Sequence, residues 1–148
     1  MAAAMELTVR NDLSELERVL TAVEEFCDSA GAPPKVAYHF GLAFDELFTN
    51  IVSYGYDGTG ERAVTLSLWM DSGVLHGRIV DDARPFNPLL EASEPDLDAA
   101  VEDRAIGGLG VHFVKRFMDG ASYDRVDDRN RLEFWKQLSG PEAASAEE

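Results

Sequence analysis

The sequence predicts an α+β chain: a two-layer α/β sandwich with a mixed, mostly antiparallel sheet and helices on one face. Three observations carry this. Strand signals arrive in pairs, at residues 63–70 with 74–80 and at 121–126 with 131–138. A long segment, VAYHFGLAFDELFTNIVSYGY over residues 36–56, reads as a helix with a sharply sorted apolar stripe. The helices stand between the strand groups, giving the order β, α, α, β-hairpin, loop, α, β-hairpin.

Met5 to Arg10 alternates as a short first strand. Residues 12–30 follow as a helix, with Asn11 or Asp12 able to cap it and Ser14 and Glu17 at capping-box spacing. Leu13, Leu16, Val19, Leu20, Val23, Phe26, Cys27 and Ala30 form its apolar face. Gly31 and the pair Pro33–Pro34 end it. In the segment 36–56, Val36, Phe40, Phe44, Leu47 and Ile51 share one face, and Glu46 and Asn50 lie one above the other on its flank. That helix stops near Tyr56-Asp57-Gly58. Val64, Leu66, Leu68 and Met70 alternate with polar and small residues, Asp71-Ser72-Gly73 turns the chain, and Val74 to Val80 returns. Residues 89–106 are acidic and lack strong periodicity, as a functional loop would. Val111, Val114, Phe117 and Met118 then repeat at helical spacing up to Gly120. The second hairpin turns at Asp127 to Asn130, and the tail GPEAASAEE has no strand or helix pattern. One domain over residues 1–140 and a disordered acidic tail over 141–148 are expected.

Of the 148 residues 45% are hydrophobic and 28% charged, an ordinary globular balance with enough chain for a core. No apolar run approaches the ~18 residues of a spanning helix. The opening MAAAMELTVR has no charged region followed by an apolar block, so no secretory signal is expected. Cys27 is the single cysteine, which excludes an internal disulfide, and packing is its expected role. A cytoplasmic setting follows. The net charge of −15 disfavours nucleic acid and anionic membrane as partners. A phosphate-bearing ligand could bind only where a metal ion, backbone N–H groups or a helix N-terminus outweighs that field.

Three polar or glycine-rich patches stand at element ends. They are Glu46 with Asn50, Asp81 with Asp82, and Gly107-Gly108-Leu109-Gly110 before a helix. Singly, each is ordinary: a polar helix edge, strand-end turn residues, a glycine loop. His39, His76 and His112 have no companions at metal-ligand spacing. Trp69 and Trp135 read as sheet packing.

Together the patches resemble the histidine-kinase-like (Bergerat) ATPase domain, most closely its branch of anti-sigma-factor serine kinases. FDELFTNIVSYGY at 44–56 resembles the branch's N box, DDARPFNP at 81–88 its G1 box, and GGLGVHFVKRFMD at 107–119 its G2 box. Asn130-Arg131-Leu132 matches the family's final strands, so the resemblance covers about residues 5–138. The sequence departs from the G1 pattern in one place, where Ala83 replaces a glycine; Pro85 is typical of the branch.

The resemblance implies ATP and Mg²⁺ as cofactors, with Asn50 as the metal ligand and Glu46 as the general base. It implies nucleotide contacts at Asn50, Asp81, Ala83, Pro85, Phe86, Gly107, Gly108, Leu109, Gly110 and Val111. Asp81, or Asp82 beside it, would accept a hydrogen bond from the exocyclic amine of adenine. Tyr54 and Tyr56 would close the pocket edge, residues 89–106 would form a lid, and Arg104 is a candidate phosphate ligand on proximity in sequence alone. The implied activity is phosphorylation of Ser or Thr on a small anti-sigma-antagonist protein. A sigma factor as second partner and a homodimer are left open by the same resemblance. The rival expectation is a nucleotide-gated binding module that sequesters a partner and transfers little or no phosphate; the presence of Glu46 favours the kinase.

Overall fold

Strand alternation decides the architecture. In the computed structural model, which describes residues 4–55, 60–87, 89 and 114–138 (Tyr54 by its backbone alone), buried residues alternate with less buried ones along each central strand, except at the far ends of β2 and β5. β1 (Ala4–Arg10), β2 (Ala63–Asp71), β3 (Val74–Asp81), β4 (Gly120–Val126) and β5 (Arg129–Gln137) form one sheet in the order β1-β2-β3-β5-β4. All of these pairings are antiparallel. The helices are α1 (Leu16–Ser29), which follows a 3-10 turn at Leu13–Glu15, and α2 (Pro34–Tyr54). Residues 114–117 are helical as well. The α+β sandwich read from the sequence is the fold observed.

α2 supplies the centre of the core. Phe40, Phe44, Phe48 and Ala43 are fully buried, and Leu47 nearly so. The rings of Phe40 and Phe44 meet Phe134 of β5 at centroid distances of 5.5 and 5.2 Å. Val36 and Ile51, at the ends of the stripe, are only partly buried. Pro34 occupies the first turn, where its missing N–H costs nothing, so α2 starts two residues before the expected boundary.

α1 buries Val19, Val23, Phe26 and Cys27. Its C-terminus closes in a Schellman motif: Gly31, at φ 78°, donates to the Asp28 carbonyl, and Ala32 donates to that of Cys27. At the start of α1 the expected cap by Asp12 forms, but the Ser14–Glu17 capping box does not. Asp12, not Ser14, caps, accepting from the Ser14 amide at 2.9 Å, and Glu15 rather than Glu17 reaches back to the Arg10 amide. The 3-10 turn rotates Leu13 off the apolar face, leaving it 47% exposed. Cys27 is fully buried, and burial pushes its thiol up to about 11.

Both hairpins turn through two residues with φ > 0, Ser72-Gly73 and Asp127-Asp128, which suits the right-handed twist of the flanking strands. The second turn is therefore shorter than the expected Asp127–Asn130. Aspartate tolerates the left-handed region, so Arg129 and Asn130 are released into β5. On the sheet face away from the helices, Trp69 stacks on His76 at 4.9 Å and the Arg78 guanidinium lies over the indole at 4.8 Å. This is the sheet packing expected of the tryptophan. His39 stacks on Phe117 at 3.9 Å.

Gly77 sets the spacing between the layers. A Cβ there would stand 2.8 Å from the Phe134 ring and 3.1 Å from that of Phe44. Gly77→Ala is expected to lower the unfolding free energy by about 1–3 kcal/mol through overpacking. Denaturant melts of the two proteins measure this directly.

Candidate functional site

Asp81 closes β3 on the core side. The alternation that buries Leu75, Gly77 and Ile79 carries on to Asp81, which is 4% exposed. Asp82 falls on the other face and lies 3.6 Å from Arg62. A carboxylate this buried needs donors. Asp81 Oδ1 accepts from the Ala83 amide at 2.9 Å, an Asx-turn that bends the chain out of the strand, and from Asn130 Nδ2 at 2.9 Å. Among the described residues none donates to Oδ2. Burial pushes the Asp81 carboxyl above its ordinary range and Asp82 adds to this; the bonds from Asn130 and Ala83 and the charge of Arg125 act the other way.

The loop after Asp81 is seated on the end of α2. The Arg84 amide donates to the Gly55 carbonyl at 3.2 Å, and Arg125 Nη1 donates to the Ala83 carbonyl at 2.9 Å. Ala83 is buried and is not among the residues with φ > 0, so replacing the family's glycine causes no backbone strain here. Gly55 admits this contact, since a Cβ would meet the Ile51 carbonyl oxygen at 2.6 Å and Ala83 Cβ at 2.9 Å. Pro85 and Phe86 are exposed, and the Phe86 amide donates to Asn130 Oδ1 at 3.2 Å.

Glu46 and Asn50 are half-buried on α2. Among the described residues neither side chain has a hydrogen-bond or ion-pair partner. Asp45 instead takes the local bond, a long one of 3.4 Å from Thr49. Burial, and then the neighbouring Asp45, raise the Glu46 carboxyl above its ordinary value, the direction that suits a proton acceptor working near neutrality. Among the described residues no group of three His, Cys, Asp or Glu could hold a metal ion. The single amide oxygen of Asn50 fits a cation that brings most of its own ligands, as Mg²⁺ does with phosphate oxygens and water.

Gly107, Gly108, Leu109, Gly110 and Val111 lie outside the described residues, as do Arg104, His112, Tyr56, residues 90–106 of the expected lid and the tail. Two contributors went unseen in the sequence. The expected turn Asp127–Asn130 takes in Asn130, although its alternation with Leu132 and Phe134 places it on the buried face. Gly55 carries no signal beyond its position at a helix end.

These features define a two-layer domain with a buried hydrogen-bond acceptor ending a central strand and, on α2, two oxygen-bearing side chains that no described residue engages. The family profile of the histidine kinase-like ATPase domain matches residues 9–136, and the chain belongs to that family. It is 29% identical over 98 residues to the serine/threonine-protein kinase BtrW of Bordetella bronchiseptica, covering 66% of this chain and 68% of that one. The solved structure of the RsbU and RsbW domains of Rv1364c from Mycobacterium tuberculosis is similar with a TM-score of 0.64 at 15% identity, over 94% of this chain. The match spans 33% of that chain, and the likeness is one of fold. No helix among the described residues is long and apolar enough to cross a membrane.

Two outcomes are expected. Gly55→Ala should cost about 1–3 kcal/mol in thermal or denaturant melts and speed hydrogen exchange at the Arg84 amide. Asp81→Asn should leave the neutral-pH melting temperature unchanged or higher, because asparagine can accept both Oδ1 bonds without a buried charge. The pH dependence has a definite sign. With its folded value raised, Asp81 binds a proton in the folded chain before the unfolded one does, so its contribution to stability rises as pH falls toward the ordinary value of about 3.9. Asp81→Asn should remove that rise, as melts between pH 4 and 7 would show.

Proposed function

We propose that this chain is an ATP-dependent protein serine/threonine kinase of the anti-sigma-factor type, working in the cytoplasm on a small anti-sigma-antagonist protein. One observation carries the nucleotide half of this reading. Asp81 is buried, its Oδ1 is saturated, and its Oδ2 has no donor among the described residues. Such an oxygen suits the exocyclic amine of adenine. The family supports ATP as ligand, and the relative named a serine/threonine-protein kinase supports transfer to a hydroxyl.

The chemistry requires little covalent participation by the protein. The substrate hydroxyl oxygen forms a bond to the γ-phosphorus of ATP, the bond from that phosphorus to the β,γ-bridging oxygen breaks, and ADP leaves. Glu46 accepts the hydroxyl proton. Asn50 would hold Mg²⁺, whose contribution when bound is to neutralise phosphate charge. The glycines at 107–110 would offer backbone N–H groups to the phosphates, the local feature that a chain of charge −15 needs.

Glu46→Ala should retain ATP binding and slow transfer to the antagonist by about 100-fold or more. Radiolabelled γ-phosphate followed onto Ser or Thr of the antagonist reads this, and an unchanged rate removes Glu46 from the role. Because the Glu46 value is raised and the ionised form is the base, the wild-type rate should fall as pH drops through a value above the ordinary carboxylate range. No label on the antagonist at any pH would favour the binding-module alternative. Asn50→Ala should abolish the Mg²⁺ dependence of ATP affinity, measured by calorimetry with and without the metal. Asp81→Asn should weaken ATP binding by roughly 10–100-fold, the worth of a charge-assisted hydrogen bond.

A further inference from the structure

Asn130 is 7% exposed and stands directly across from Asp81 in the β3–β5 register. Its Nδ2 donates to Asp81 Oδ1 and to the Arg84 carbonyl, each at 2.9 Å. Its Oδ1 accepts from the Phe86 amide at 3.2 Å and from the Tyr123 hydroxyl. A backbone N–H only donates and a backbone carbonyl only accepts. The Arg84 and Phe86 backbone groups therefore decide which end of the carboxamide is which. Turned over, it would set oxygen against the Arg84 carbonyl and N–H against the Phe86 amide. The group that faces Asp81 is thus held as a donor.

This arrangement sets the sense of Asp81 in turn. Two N–H groups on Oδ1, from Ala83 and Asn130, favour the ionised carboxyl. Arg125 of β4 acts in the same direction, against burial and against Asp82, which is itself engaged with Arg62. We infer that Asn130 is a specificity-determining positioning residue: its locked carboxamide keeps Asp81 an acceptor, so that Oδ2 selects a base edge bearing an amine over one bearing a carbonyl. The inference rests on the reading that Asp81 meets the base, and adds what fixes its polarity. An Asp81 that held a proton would present an O–H at Oδ2 and welcome a carbonyl edge.

The test is the affinity for ATP and for GTP, by calorimetry across pH 5–8, for the wild type, Asn130→Leu and Asn130→Ser. Leucine removes both the donor and the acceptor; serine keeps a hydroxyl that can still donate to Asp81. Asn130→Leu should reduce the ATP-over-GTP ratio at least tenfold and shift the acid limb of ATP binding to higher pH. Asn130→Ser should recover part of both. An equal loss of affinity for the two nucleotides, with ratio and acid limb unmoved, would mean that Asn130 merely holds the loop, and would overturn the inference. If circular dichroism shows Asn130→Leu unfolded, Asn130→Ser decides: an intermediate ratio supports the inference and a wild-type ratio overturns it. A wild type that binds both nucleotides equally, or neither, defeats the adenine reading and this inference with it. A selective wild type with equally selective variants defeats this inference alone.

Discussion

Burying one carboxylate at the end of a central strand constrains everything around it. Asp81 can sit inside only because Ala83 and Asn130 give it N–H groups. Each donor brings a structural demand. The Ala83 bond requires the chain to turn out of β3 at once, which sets that loop against Gly55 at the end of α2. The Asn130 bond requires β5 beside β3 in a register that places the two side chains opposite each other. Strand order, loop path and helix end are thus coupled through one acid.

Electrostatics bears on the role proposed for the same acid. A chain of charge −15 cannot attract a polyanion by its general field. Recognition must come from hydrogen-bond sense and from local N–H groups. The described part of the site fits this: Asp81 and Asn130 hold a fixed donor and acceptor pattern, while Glu46 and Asn50 offer oxygens with no competing partner among the described residues. Raised carboxyls at Glu46 and Asp81 share one leading cause, loss of water.

Much of this was legible in the sequence where a period was long enough to be decisive. The stripe of α2 and the alternation of β2 and β3 put Phe40, Phe44, Leu66 and Ile79 where the structure has them. The choice between Asp81 and Asp82 stayed open in the sequence, because the expected strand ends at Val80; β3 runs one residue further and its alternation buries Asp81. Short-range chemistry was harder to read. Asn11, Asp12 and Ser14 all have capping side chains, and only the local geometry of the 3-10 turn selects Asp12. The turn after β4 could be two residues or four; Asp127 and Asp128 adopting φ > 0 settles it, and with it the burial of Asn130. Gly55 could not be read at all, because its reason is the close approach of a residue 28 positions later, Ala83.

The inertness of Cys27 has a practical side. With the thiol raised to about 11, very little of it is thiolate at pH 7, and Cys27 is fully buried in the hydrophobic core. A maleimide dye should therefore ignore the native chain. One cysteine placed on an exposed helical position such as Arg116 would be the sole attachment point, leaving the natural thiol in place and giving fluorescence a clean view of helical residues 114–117.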